Sequence, residues 1–259
     1  MKRQPGAAQE KSLLAKIRRA VLLGAAAVYA VFWIGGLGRH LFATANQDWA
    51  ASVFLFLAGM IVMLGSPSPG YLGSLVAAGA LGFGIEAIGV RYGLPFGAYS
   101  YTHVLQPQWL GVPLVMAAAW LVLIAYVRQM LLHFHLPAWL GALLGAAWMT
   151  GIDLVIDPLA ANQLGYWHWQ LSGIYYGVPA INFAGWFVAS ALVLFVVGPA
   201  RAANKPAPII GLTIILFFTG TAFFLHAYLV GLVGLALFAI HILAARPLRY
   251  SSSADVNLT

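Results

Sequence analysis

Apolar residues run in long blocks from about residue 20 to residue 245, many of them close to the roughly 20 residues a helix needs to cross the hydrocarbon of a bilayer. Read at that length, the pattern predicts helices near residues 20–38, 50–65, 71–90, 112–132, 137–156, 179–198, 209–226 and 228–245. The second run is short, and only residues 226–231 offer the last pair a place to turn, so seven to eight helices are expected. The fold class is all-α: a polytopic transmembrane helix bundle.

Composition removes the soluble alternative. The chain is 62% hydrophobic and 7% charged, against about 25% charged in a soluble domain, so it cannot cover itself with a wetted surface. One membrane domain over 20–245 is expected, with a basic segment at 1–19 and a short tail at 246–259. The basic start resembles the first part of a signal peptide, but no small-residue cleavage site precedes a soluble region, and it reads better as the flank of the first helix. The absence of cysteine excludes disulfides, thiolate catalysis and cysteine-ligated metals.

Charge gives the direction, because lysine and arginine concentrate in cytoplasmic loops. Eight crossings with the N-terminus inside place Lys2, Arg3, Lys11, Lys16, Arg18, Arg19, Arg128, Arg201, Lys205, Arg246 and Arg249 on the cytoplasmic side. Only Arg39 and Arg91 are then outside, whereas seven crossings would move Arg246 and Arg249 across. Eight crossings with both termini cytoplasmic, in a cell membrane, is the better fit. The net charge of +7 is then an orientation signal, with some attraction to anionic lipid, and requires no nucleic acid.

The two longest segments between helices, roughly 91–111 and 158–178, fall outside in this topology. One carries Tyr99-Ser100-Tyr101; the other carries Tyr166-Trp167-His168-Trp169 and Tyr175-Tyr176. Aromatics at headgroup depth are expected of an interfacial belt, but a belt does not explain their repetition. Gly111-Val112-Pro113 precedes Trp120 at the same spacing as Gly177-Val178-Pro179 precedes Trp186. Each copy follows an aromatic-x-aromatic step, and each step follows an acidic residue inside a helix. A parallel repeat of 71–132 and 137–198 is suggested, and sites often form where membrane repeats meet.

Of six acidic residues, Glu10, Asp48 and Asp255 lie in tails or a loop, while Glu86, Asp153 and Asp157 fall within membrane helices. A carboxylate there costs roughly 2.5–3.5 kcal/mol on insertion scales and is functional by default. Asp153 and Asp157 are four apart and share a helix face, and Pro158 should end or kink that helix. No lysine lies in a predicted membrane interior, and Arg91 is the one arginine beside the acids, so they lack an evident counter-ion. Carboxyls so placed are expected to hold a proton. The structural alternative is that they bond Asn182, Tyr or Trp donors and simply hold the bundle together. A neutral acid among aromatic rings suits protonation of an isolated alkene: indole and phenol faces stabilise a cation by about 0.5–2 kcal/mol each, and a second carboxylate can deprotonate the water that captures it. His168, between two tryptophans, is a candidate proton shuttle or interfacial hydrogen-bonder. The scattered histidines form no metal-binding pattern, so neither metal nor cofactor is expected, and without a helical lysine a retinal Schiff base is not either.

Glu86, Gly93-Leu94-Pro95-Phe96-Gly97-Ala98-Tyr99-Ser100-Tyr101, Gly111-Val112-Pro113, Asp153-Leu154-Val155-Ile156-Asp157-Pro158, Tyr166-Trp167 and the run from Tyr175 through Asn182 to Trp186 occur in this order over about 100 residues. In these motifs the chain resembles a family of integral membrane carotenoid-biosynthesis proteins that includes hydratases acting on γ-carotene and on bisanhydrobacterioruberin. The resemblance implies addition of water to the terminal double bond of an acyclic carotenoid end, giving a tertiary alcohol. Catalysis would fall to Glu86, Asp153 and Asp157, and substrate binding to Tyr99, Tyr101, Trp167, His168, Trp169, Tyr175, Tyr176, Asn182 and Trp186. The partners expected are a carotenoid dissolved in the bilayer, the lipid itself and other enzymes of the same pathway. Two rivals stand beside this reading. One is a magnesium-dependent prenyltransferase using Asp153 and Asp157, which would need a second acidic motif. The other is a transporter or lipid-binding protein whose carboxyls relay protons.

Overall fold

The helix ends follow the chain's punctuation. Ser68, in extended backbone, accepts a hydrogen bond from the Tyr71 N–H and is followed by Pro69 at the first helical position; Gly93, with φ 72°, closes the same helix. A computed structural model describes residues 5–39 and 48–245, and among these it contains eight α-helices. They are α1 (Pro5–Gly38), α2 (Asp48–Leu64), α3 (Pro69–Tyr92), α4 (Val115–Met130), α5 (Ala138–Asn162), α6 (Ala180–Val197), α7 (Pro206–Phe224) and α8 (Tyr228–Ala245). The tail at 246–259, with Lys2, Arg3 and His40, lies outside the described residues.

Five of the helices are long and apolar enough to cross a membrane: Ser12–Gly38 within α1, together with α3, α5, α6 and α7. α4 has 16 residues, about 24 Å of helix, and its position explains the shortness. Residues 120–129 of α4 are all buried, and the helix packs against α2, α3, α5 and α7. A helix that is apolar all round belongs in a bundle core, and α4 meets protein where its neighbours meet lipid. α1, by contrast, touches only α2 and α7 closely and leaves most of its surface exposed. The chain is a multi-pass membrane protein.

Two boundaries differ from the sequence expectation. The basic N-terminal segment is already helical from Pro5, so α1 starts well before residue 20. More consequentially, α5 does not stop at Pro158 but continues to Asn162. Proline at 158 removes the N–H that would bond the carbonyl of Leu154, four residues earlier. The Tyr175 hydroxyl donates to that carbonyl at 3.1 Å. A side chain from the following loop therefore replaces the missing backbone donor, and the helix survives its proline.

The outer loops also contain structure absent from the hydropathy pattern. β1 (Tyr99–Tyr101) pairs antiparallel with β4 (Trp167–Trp169), and β2 (Gln108–Trp109) pairs with β3 (Val112–Pro113). The first ribbon sews the α3–α4 loop to the α5–α6 loop across about 70 residues of chain. At the opposite end of the bundle, Arg18 donates to the carbonyls of Leu64 and Ser66, and Asn204 links Val62 to Gln129.

Candidate active site

The β1–β4 register is Tyr99 opposite Trp169, Ser100 opposite His168 and Tyr101 opposite Trp167. Side chains alternate across a strand, so Tyr99, Tyr101, Trp167 and Trp169 share one face, and Ser100 and His168 share the other. The aromatic face turns inward: ring centroids are 5.2 Å apart for Tyr99 and Trp169 and 5.8 Å apart for Tyr101 and Trp167. All four rings use their polar atoms on the membrane carboxyls.

Glu86 on α3 is 3% exposed. Its Oε2 accepts from the hydroxyls of Tyr99 at 2.5 Å and Tyr101 at 2.9 Å, and Oε1 accepts from Trp120 Nε1 at 3.0 Å. Burial first, and then the adjacent Glu86, push the phenols of Tyr99 and Tyr101 far above their ordinary range, so both remain donors at any physiological pH. Trp120 reaches Glu86 because Gly82 faces it: a Cβ at Gly82 would fall inside the indole ring.

Asp153 and Asp157 lie one turn apart on α5, 3% and 1% exposed. Asp157 Oδ1 accepts from Trp167 Nε1 at 2.8 Å and from Trp169 Nε1 at 3.1 Å. Asn182 on α6 bridges the pair: its Nδ2 lies 2.7 Å from Asp153 Oδ2 and 2.6 Å from Asp157 Oδ2. The two N–H bonds of one amide thus go to two carboxyls. The donor to Asp153 reaches its Oδ2. α6 packs closely on the loop between α3 and β1 because residue 185 is glycine; a Cβ there would stand 2.6 Å from the Pro95 carbonyl oxygen.

The three membrane carboxyls are thus gathered under one aromatic ribbon, with Glu86 on the Tyr99 and Tyr101 side and Asp157, beside Asp153, on the Trp167 and Trp169 side. Arg91 points away from them, donating to the Tyr92 hydroxyl from an exposed position. Trp186 stacks on Trp120 with centroids 4.8 Å apart and planes 9° from parallel, and Phe96 packs against Trp186. Tyr175 sits beside α5 through Leu154. Tyr176 is placed differently: its carbonyl accepts from Asn162 and its ring packs edge-on against Tyr175. His168 is exposed on the outer face of the ribbon. Trp120 was not among the expected site residues, although the repeated Gly-Val-Pro to Trp spacing singled it out together with Trp186. The two tryptophans at equivalent places in that spacing are the stacked pair.

Comparison with known proteins gives three findings. The family model described as carotenoid biosynthesis protein matches residues 48–245. Bisanhydrobacterioruberin hydratase of Haloarcula japonica is 38% identical over 139 residues, covering 51% of this chain and 47% of the hydratase. The chain therefore spans about half the length of that curated relative. No solved structure matches.

Proposed function

The chain belongs to the carotenoid biosynthesis protein family, and from that premise we propose that it is a hydratase, adding water across the terminal double bond of an acyclic carotenoid end group. The observation that carries this reading is the unequal hydrogen bonding of the carboxyls. Indole N–H groups can only donate, so Asp157 Oδ1, facing two of them, is an acceptor, and Oδ2 faces the Asn182 amide. Glu86 is likewise enclosed by three donors. Among the described residues Asp153 receives one donor, Asn182 on Oδ2, where the other two carboxyls receive three each; it is the acid we assign the proton, and two like charges on one amide nitrogen would repel.

In the proposed reaction Asp153 Oδ1 gives its proton to the less substituted alkene carbon, and the π electrons form the new C–H bond. Positive charge then develops on the carbon bearing two methyl groups, where the ribbon's aromatic faces stabilise it. Water attacks that carbon through an oxygen lone pair. The resulting oxonium loses a proton to a carboxylate, and the proton returns to the Asp153–Asp157 pair, so the enzyme is unchanged and the product is a tertiary alcohol. Carboxylate oxygens already engaged by N–H donors favour this chemistry over a magnesium–diphosphate site, where those oxygens would have to face cations.

The same reading places the chain in the cell membrane with both termini cytoplasmic, takes the carotenoid directly from the bilayer and allows association with neighbouring enzymes of the pathway. It also treats 71–132 and 137–198 as two related halves meeting at the acids. The test is expression of the full chain in cells that accumulate an acyclic carotenoid, grown in H₂¹⁸O. A product heavier by one water and carrying the label is expected; an unchanged carotenoid pool in cells that contain the folded protein would refute hydration.

A further inference from the structure

At the end of the bundle opposite the acids, the last turn of α4 carries Arg128, an arginine that is 5% exposed. Its neighbours are all neutral. Nη1 donates to Ser74 Oγ at 2.8 Å, Nη2 to the Pro199 carbonyl at 3.4 Å, and the guanidinium lies 5.1 Å from the centre of the Tyr71 ring. The buried Nε has no partner. A buried charge ordinarily requires an opposite charge, and no carboxylate among the described residues bonds this one. The carbonyl dipoles at the ends of α4 and α6 supply only partial compensation.

Arg128 lines a cavity of about 210 Å³ between the end of α4, the end of α6 and the start of α5. Ala138, the first residue of α5, lines it as well, and the N-terminus of this 25-residue helix has no side-chain cap. The cavity therefore lies at the positive end of a helix dipole, beside a cation without a counter-ion among the described residues. The rest of the wall is mostly leucine, alanine and glycine.

We infer that this cavity is an anion site for a phosphate group carried on an apolar chain, with Arg128 and the first turn of α5 holding the phosphate and the leucine wall holding the chain. The site is independent of the acid cluster. A cavity of this size holds a headgroup and a few methylenes, not a whole carotenoid.

Gly141 lines the cavity, and a Cβ built there would meet nothing within 4 Å, so Gly141→Leu is expected to occupy part of that space while keeping the arginine. Thermal unfolding of the detergent-solubilised full chain is followed during titration with phosphatidylglycerol, phosphatidylcholine or inorganic phosphate. Phosphatidylglycerol is expected to raise the midpoint saturably, and Gly141→Leu and Arg128→Gln to weaken half-saturation at least about tenfold. Gly141→Leu replaces a helical glycine with a good helix former and should fold without lipid, so its half-saturation decides the matter if Arg128→Gln fails to fold. An equal response to inorganic phosphate alone would support the site and make soluble phosphate its ligand. Equal shifts with phosphatidylcholine, or a wild-type response in Gly141→Leu, would overturn the proposal.

Discussion

Asp153 and Asp157 are chemically the same residue on the same helix, and their hydrogen-bond partners differ. On the acid role proposed for Asp153, Asp153→Asn should lower hydration by the roughly 10²–10⁴-fold that a positioned general acid contributes, while the protein still inserts and folds. Trp167→Phe keeps the ring that lines the site but deletes the N–H on Asp157. Loss of one donor to a buried acceptor costs about 1–3 kcal/mol, roughly a ten- to hundredfold fall in rate if that donor positions the carboxylate. Turnover of labelled water by the two variants, each normalised to folded protein, checks both values; wild-type rates in Asp153→Asn would remove Asp153 as the acid. The acids themselves were legible in the sequence, because an ionisable residue inside an apolar run stands out. Their partners were less so: Trp167 and Trp169 read equally well as a headgroup belt, and only the ribbon register shows which face of the loop they occupy. His168 shows the same limit from the other side, since a histidine between two site tryptophans in sequence is by strand alternation the residue that points away.

At the level of the element, helix α5 was expected to end or kink at Pro158, and it continues to Asn162. Local rules were right about the defect and silent about its repair, because the donor that satisfies Leu154 comes from Tyr175 in the next loop. The repair can be tested by a double-mutant cycle. Tyr175→Phe leaves the Leu154 carbonyl without a donor and should destabilise the folded state by about 1–3 kcal/mol. Pro158→Ala restores a backbone N–H at the proper position, so Tyr175→Phe should be close to neutral in that background. Denaturant or thermal midpoints of the four proteins measure the coupling; additive effects would show that the Tyr175 hydroxyl does not serve the gap at Pro158. The short ribbons were invisible for a related reason. A three-residue strand has too little alternation to register in a hydropathy pattern, and its partner lies about 70 residues away.

For the whole molecule, the hydropathy pattern predicted seven to eight helices, the charge distribution favoured eight, and eight are present among the described residues, because the length and composition of a crossing are set largely by the bilayer. What it could not supply is the grouping of the two ends. Residues 86–101 and 153–182 meet at the acid-bearing end, while Arg18, residues 62–74, Arg128 and residues 199–204 meet at the other. The basic residues at the second end are the ones the charge rule assigns to the cytoplasm, so the acids should lie in the outer half of the bilayer. The chain has no cysteine, which makes the assignment directly measurable. His103 and Ala203 are both exposed, one in each set of loops. In the full chain, His103→Cys should react with a membrane-impermeant maleimide in intact cells, and Ala203→Cys only after permeabilisation. The reverse labelling would invert the topology and put the cavity beside Arg128, not the acid cluster, on the outer side. Labelling of both in intact cells would mean that the two groups of loops do not lie on opposite sides, and the eight-crossing topology would have to be abandoned.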